Sequence, residues 1–134
     1  MKSEHEEQVL FFQKVWVLSC QHPELKEPLR WIHAIPNGGA RDIRTAAKLK
    51  AEGVKSGIWD IFWPYRSKGY SGLYIEMKRS DHRPKREGSK GGLSDEQIAF
   101  RDFAQSQGFL CKVAYNADEA CKILLNYVVI QHWH

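Results

Sequence analysis

The sequence predicts a mixed α/β domain: a central β-sheet flanked by helices. Two observations carry this. Helical and strand-like hydrophobic patterns alternate along the chain in the order α-β-α-β-β-α-β-α. The 134 residues, 43% hydrophobic and 27% charged, make one ordinary globular domain, 1–134, with enough apolar residues for a core.

The first element spans Glu4 to Cys20. Val9, Phe12, Val15/Trp16 and Ser19/Cys20 recur at three- to four-residue spacing, and His22-Pro23 stops the helix. Trp31–Ile35 is short and β-prone, and Pro36-Asn37-Gly38-Gly39 breaks it. Asp42 to Glu52 reads as a helix, with Gly53 at the position after its C-cap. Strands follow at Ile58–Trp63 and Leu73–Lys78, joined by a turn-like Ser67–Gly72. After a polar loop, Ser94 and Gln97 form a capping-box pattern that opens a helix to about Gln107. Phe109–Tyr115 is the last strand, and Asn116 or Asp118 caps a helix to about Val129.

Several classes are excluded. No apolar run approaches the ~20 residues of a membrane helix. The polar start Met1–Glu7 lacks a signal-peptide core. Cys20, Cys111 and Cys121 are an odd set without a C-x-x-C pair, expected to be small buried hydrophobes in a reducing cytoplasm. The net charge of +4 is unevenly spread: residues 41–90 hold 13 Lys/Arg against 6 Asp/Glu, a net of +7, while the rest is −3. A basic middle of this kind suits a phosphate-rich partner.

The same stretch contains the chemistry. Asp60 and Glu76 sit in successive apolar strands, and Lys78 shares a face with Glu76, because strand side chains alternate. A carboxylate in Leu73-Tyr74-Ile75-Glu76-Met77 is costly to bury, and a second one nearby adds repulsion. A hard divalent cation relieves both and suits phosphodiester hydrolysis, with Lys78 beside the attacking water. The plainer alternative is a strand-end Asp60 and a solvated Glu76–Lys78 pair, and spacing alone favours it.

Three blocks occur in order: Gly53-Val54-Lys55-Ser56-Gly57-Ile58-Trp59-Asp60-Ile61-Phe62, Gly72-Leu73-Tyr74-Ile75-Glu76-Met77-Lys78, and Gly92-Leu93-Ser94-Asp95-Glu96-Gln97. Together they resemble the VRR-NUC family of the PD-(D/E)XK nuclease superfamily, in its stand-alone bacterial and phage form. The resemblance runs from the first helix, with Glu4, Glu7 and Gln8, to Phe109–Tyr115. It implies a restriction-endonuclease-like core and a Mg²⁺- or Mn²⁺-dependent DNA endonuclease, located in the cytoplasm of a bacterium or phage host. Asp60, Glu76 and the Met77 backbone carbonyl would hold the metal, with Lys78 and Gln97 completing the catalytic set. Glu4 or Glu7 would add an acid, Glu4 being the better spaced from Gln8. The implied substrate is branched DNA, a four-way junction above all, cut by a homodimer. The sequence departs from the family in two places. Trp59 stands where the superfamily expects proline, and Val54-Lys55-Ser56 stands where an arginine pair is expected. A non-catalytic nucleic-acid-binding module and an RNA-directed nuclease are the rival readings.

Phosphate contacts are expected from Arg41 and Arg44 near Gly38-Gly39, from Lys55, and from Arg79, Arg83, Lys85, Arg86 and Lys90. The last five lie in a loop expected to be mobile without DNA. Gly38-Gly39 reads equally well as a turn requiring positive φ. His82, His132 and His134 read as incidental. Trp16, Trp59 and Trp63 read as core or subunit contact. The apolar tail Ile123–Ile130 reads as deeply buried or as a dimer seam.

Overall fold

The computed structural model describes residues 1–36 and 43–128. Its elements in chain order are α1 (Glu4–Gln21), α2 (Lys26–Leu29), β1 (His33–Ala34), α3 (Ile43–Ala51), β2 (Ile61–Trp63), β3 (Leu73–Met77), α4 (Asp95–Ser106), β4 (Leu110–Ala114) and α5 (Ala117–Tyr127). The strands form one sheet in the order β1-β2-β3-β4. β1/β2 and β2/β3 are antiparallel and β3/β4 is parallel, so the sheet is mixed.

Local sequence explains the helix ends. Ser3 caps α1 and Ser94 caps α4, each in a full capping box closed by Glu6 and Gln97 respectively. Asn116, not Asp118, caps α5 by accepting from the Glu119 N–H. At the end of α3, Gly53 takes φ +100° and Val54 N–H bonds back to the Leu49 carbonyl, a closure that favours glycine.

The sheet has two unlike faces. Leu73, Ile75 and Met77 of β3 and Ile61 and Trp63 of β2 point into a fully buried cluster beneath α1 and α5, with Phe11, Val15, Leu124 and Tyr127. The other face of β3 carries Tyr74 and Glu76; α4 lies over β4 and, through Phe100, against Tyr74, with Trp59, Leu93, Ala104 and Cys111 in a second buried cluster. Toward β1 that face is aromatic: Phe62 packs 4.4 Å from Tyr74 and 5.9 Å from His33, between ring centroids.

Several expectations change. β2 begins at Ile61, so Asp60 lies just before the strand, not within it; Glu76 Oε1 holds its N–H instead of a ladder carbonyl. β1 is only two residues, because Trp31 and Ile32 instead close the helical turns from Pro23 to Leu29. That helical stretch was not anticipated, since His22-Pro23 read only as the end of the first helix. Proline is tolerated at the start of a helix, where its missing N–H has no partner to lose. Trp63 anchors the stretch by donating to the Pro28 carbonyl at 2.7 Å.

Trp16 is not core: it is 68% exposed, while Trp59 and Trp63 are fully buried. Cys20 is exposed, Cys121 half-buried and Cys111 buried. α5 is packed inward through Ala120, Leu124 and Tyr127. The loop from Arg79 to Lys90 is exposed throughout and makes several side-chain contacts. It contains a 3₁₀ turn at Ser80–His82, Arg83 pairs with Glu119 and stacks on Tyr115, and Lys90 pairs with Asp95. Asn37–Asp42 and Val129–His134 lie outside the described residues, and with them Arg41, His132 and His134. No helix among the described residues is long and apolar enough to cross a membrane.

Candidate active site

The antiparallel register Ile61↔Ile75 brings Asp60 beside Glu76. Four backbone contacts hold them. Met77 N–H donates to Asp60 Oδ2 at 3.1 Å, and Asp60 N–H donates to Glu76 Oε1 at 3.1 Å. Ile35 N–H bonds to the Asp60 carbonyl at 2.6 Å, and Lys78 N–H to the Ala114 carbonyl at 2.9 Å. The two carboxyl groups are therefore locked to each other's strand.

Two further side chains converge on Glu76 Oε2. Lys78 Nζ lies 3.4 Å away, confirming that the two share a face, and Gln97 Nε2 donates at 2.9 Å. Gln97 does two tasks at once. Its Oε1 accepts from Ser94 N–H and completes the capping box, which fixes the amide so that its NH₂ faces Glu76. The capping pattern visible in the sequence thus also aims a site residue.

Glu76 is 2% exposed. Burial, and then the charge of Asp60, pushes its pKa up to about 8, against the pull of Lys78. Burial likewise raises Asp60, although the Met77 N–H opposes the shift and the negative charge of Glu4 adds to it. Adjoining carboxyls cannot both ionise cheaply out of water, so without a counter-charge the pair keeps a proton. A hard divalent cation is the charge such a pair accepts, since it takes carboxylate oxygens and completes its shell with water and phosphate. Among the described residues no three His, Cys, Asp or Glu side chains converge as a ready-made cage.

The two N-terminal glutamates separate. Glu4 is exposed at the start of α1, close enough to bear on Asp60. Glu7 is buried and accepts the Ala117 N–H at 2.6 Å, at the first turn of α5; it ties two helices together and stands apart from the pair. Among the cations, Arg44 and Lys55 are exposed in and after α3, and Lys85 and Arg86 are exposed in the loop. Arg79, Arg83 and Lys90 are held by Asp81, Glu119 and Asp95.

Sequence reasoning missed the role of Trp59. It is fully buried, and its indole N–H donates to the Gln97 carbonyl at 3.0 Å. The residue that departs from the family pattern thus docks the start of α4 against the segment bearing Asp60. Gly57, at φ +87°, permits this docking: a Cβ there would stand 2.8 Å from the Glu96 Cβ. The glycine was legible; its contact, 39 residues away in sequence, was not.

A mixed four-stranded sheet with a carboxyl pair, a lysine and a glutamine at one end defines a class of fold and site. A solved structure titled "VRR_NUC domain protein" has this fold. It superposes with a TM-score of 0.67 at 20% sequence identity, covering 96% of this chain and 89% of that one. No protein-family profile matches the sequence, and no curated protein matches it. The structural likeness establishes the expected mixed α/β fold, a four-stranded mixed sheet flanked by helices, as the fold of that protein too.

Proposed function

We propose that the protein is a Mg²⁺- or Mn²⁺-dependent nuclease that hydrolyses DNA phosphodiester bonds, with the whole chain acting as one domain. The observation that carries this is the Asp60–Glu76 pair, half-buried at Asp60 and buried at Glu76, with Lys78 and Gln97 on the Glu76 carboxylate. Two burial-strained carboxyls beside a lysine are hard to explain as packing, because apolar residues of similar size would cost less.

In this reading Asp60, Glu76 and the Met77 carbonyl hold the metal, with Glu4 as a further acid at the rim. When bound, the ion supplies Lewis-acid polarisation of the phosphate and stabilises the leaving oxygen. Lys78 orients the attacking water and offsets charge on the phosphate. Gln97 holds Glu76 in place. Arg44, Lys55, Arg79, Arg83, Lys85, Arg86 and Lys90, with Arg41, contact the backbone of the substrate. Backbone contacts position DNA without reading its sequence, which suits recognition by shape. The preferred substrate is branched DNA, in particular a four-way junction cut on two strands by a cytoplasmic homodimer.

The test incubates the protein and Lys78→Ala with duplex, flap, single-stranded and four-way DNA, and with RNA, in Mg²⁺, Mn²⁺ or EDTA. Cutting that needs metal and disappears in Lys78→Ala is expected. Metal-independent cutting, or cutting that survives the substitution, overturns the mechanism. Binding without cutting on every substrate selects a non-catalytic module.

A further inference from the structure

β1 carries an exposed histidine on the sheet face that holds the carboxyl pair. His33 lies opposite Phe62 in the register, and Ile35 N–H bonds to the Asp60 carbonyl at the next pair but one. Strand side chains alternate, so His33, Phe62 and Tyr74 form one row on the open face, and Asp60 and Glu76 belong to the row beside it. Neighbouring strands lie ~4.8 Å apart and alternate residues ~6.6 Å, which puts the His33 and Asp60 Cα atoms about 8 Å from each other. Lys78 stands two residues beyond Glu76, on the opposite side of the carboxyl row. The pair thus lies between a lysine and a histidine.

Two contacts orient His33. Its ring packs edge-on against Phe62, 5.9 Å between centroids at 84°. Its Nδ1 lies 2.9 Å from the Trp31 carbonyl. A carbonyl only accepts, so Nδ1 carries the proton in this contact and Nε2 is the nitrogen left to serve a substrate. A backbone carbonyl on one ring nitrogen is how a fold fixes the role of the other.

We infer that His33 is the proton donor to the leaving oxygen. The inference rests on the nuclease reading above and assigns a step that Asp60, Glu76, Lys78 and Gln97 leave open. In-line displacement sets the attacking and leaving oxygens on opposite sides of phosphorus. With the water beside Lys78, the leaving oxygen departs on the His33 side. The water oxygen forms the new P–O bond and gives up one proton to solvent. The P–O bond to the leaving sugar oxygen breaks, and its electron pair stays on that oxygen. The oxygen takes the Nε2 proton of the His33 imidazolium. His33 is left neutral with its remaining proton on Nδ1, the form that the Trp31 carbonyl holds, and regains the other from solvent.

The experiment compares the unmodified protein, His33→Ala and His33→Asn in Mn²⁺ on a DNA that the unmodified protein cuts. A matched DNA carries sulfur in place of the leaving oxygen, because a thiolate leaves without a proton. His33→Asn keeps a side-chain N–H for the Trp31 carbonyl, which preserves β1 where His33→Ala disturbs it. Both variants are expected to lose about 10²-fold or more in kcat on the oxygen substrate. KM, and DNA affinity measured in Ca²⁺, should change little. Both should cut the sulfur substrate within a few-fold of the unmodified protein. Nitrogen-15 NMR of the metal-free protein should show neutral His33 protonated on Nδ1. An unchanged rate on the oxygen substrate, an equal loss on both substrates, or a proton on Nε2 overturns the assignment and leaves the nuclease reading in place. No metal-dependent cutting by the unmodified protein overturns that reading, and this role with it.

Discussion

The two faces of β3 are built from the same five-residue strand and do opposite things. Leu73, Ile75 and Met77 enter a dry cluster sealed by α1 and α5, and each is fully buried. Tyr74, Glu76 and the following Lys78 face the half-covered side, where α4 stops short of β1 and β2. The apolar face gains from every contact it makes. The other face holds a carboxyl pair whose charge the fold disfavours. The contrast shows a domain whose larger core lies on one side of the sheet and whose candidate chemistry lies on the other, beside a smaller core.

Substitutions on the site face break the comparison most sharply. Asp60→Asn and Glu76→Gln are each expected to lower metal-dependent cutting by about 10²–10³-fold or more. Glu76→Gln should at the same time raise the thermal midpoint of the metal-free protein at pH 8, because it removes a disfavoured charge. A loss of both activity and stability would show that the strain is not in this carboxyl. On the dry face, Ile75→Ala is expected to cost about 2–5 kcal/mol in denaturant unfolding. Its cutting rate well below the melting temperature should change little, and a rate loss as large as that of Glu76→Gln would erase the division of labour.

Gln97→Ala tests the link between the helix cap and the site. A residue that orients a metal ligand is worth about 10–100-fold in metal affinity or activity, read by isothermal titration with Mn²⁺. Gln97→Glu, which can still cap α4 but places a further acid against Glu76, should restore helix stability without restoring activity.

The pH dependence follows from the raised Glu76. Its pKa is about 8 in the fold against an ordinary 4.5. Between these values the folded metal-free chain keeps a proton that the unfolded chain has lost. Stability contributed by this group is therefore fullest below pH 4.5 and falls as pH rises toward 8. Melting curves of the metal-free protein should show the decline, and Mg²⁺, whose binding displaces the proton, should flatten it. A Glu76→Gln variant with the same slope would assign the effect to other groups.

The smallest effect concerns the loop cations. Replacing Arg83, Lys85 and Arg86 together with Ala should reduce the salt slope of DNA binding. Each phosphate contact contributes about 0.9 to that slope. With all three in contact with phosphate, the triple variant should lose about 2.7. An unchanged slope would remove the loop from the interface.

Much of this site could be read from the chain. A period of two in Leu73–Lys78 places Glu76 and Lys78 together whatever the rest of the fold does, and the Ser94/Gln97 cap is a local four-residue device. Trp16 and Trp59 were less legible. Both lie in apolar runs, yet one is bare and the other buried under α4. Composition alone does not distinguish an apolar residue facing the core from one facing a partner. Asp60 shows the same limit from the other side: its run looks like continuous strand, but the Glu76 carboxylate takes its N–H and ends the ladder there.

By itself the sequence determined the order of the elements apart from the helical stretch Pro23–Leu29, the Ser94/Gln97 cap, the face-sharing of Glu76 and Lys78, and the basic middle of the chain. All of these depend on residues a few positions apart. The tertiary structure alone decided which glutamate of α1 stands near Asp60 and which one braces α5, that Trp59 holds Gln97 in place, and that Trp16 is exposed while Trp59 is buried. Each of those depends on a partner tens of residues away, and only packing selects among such partners.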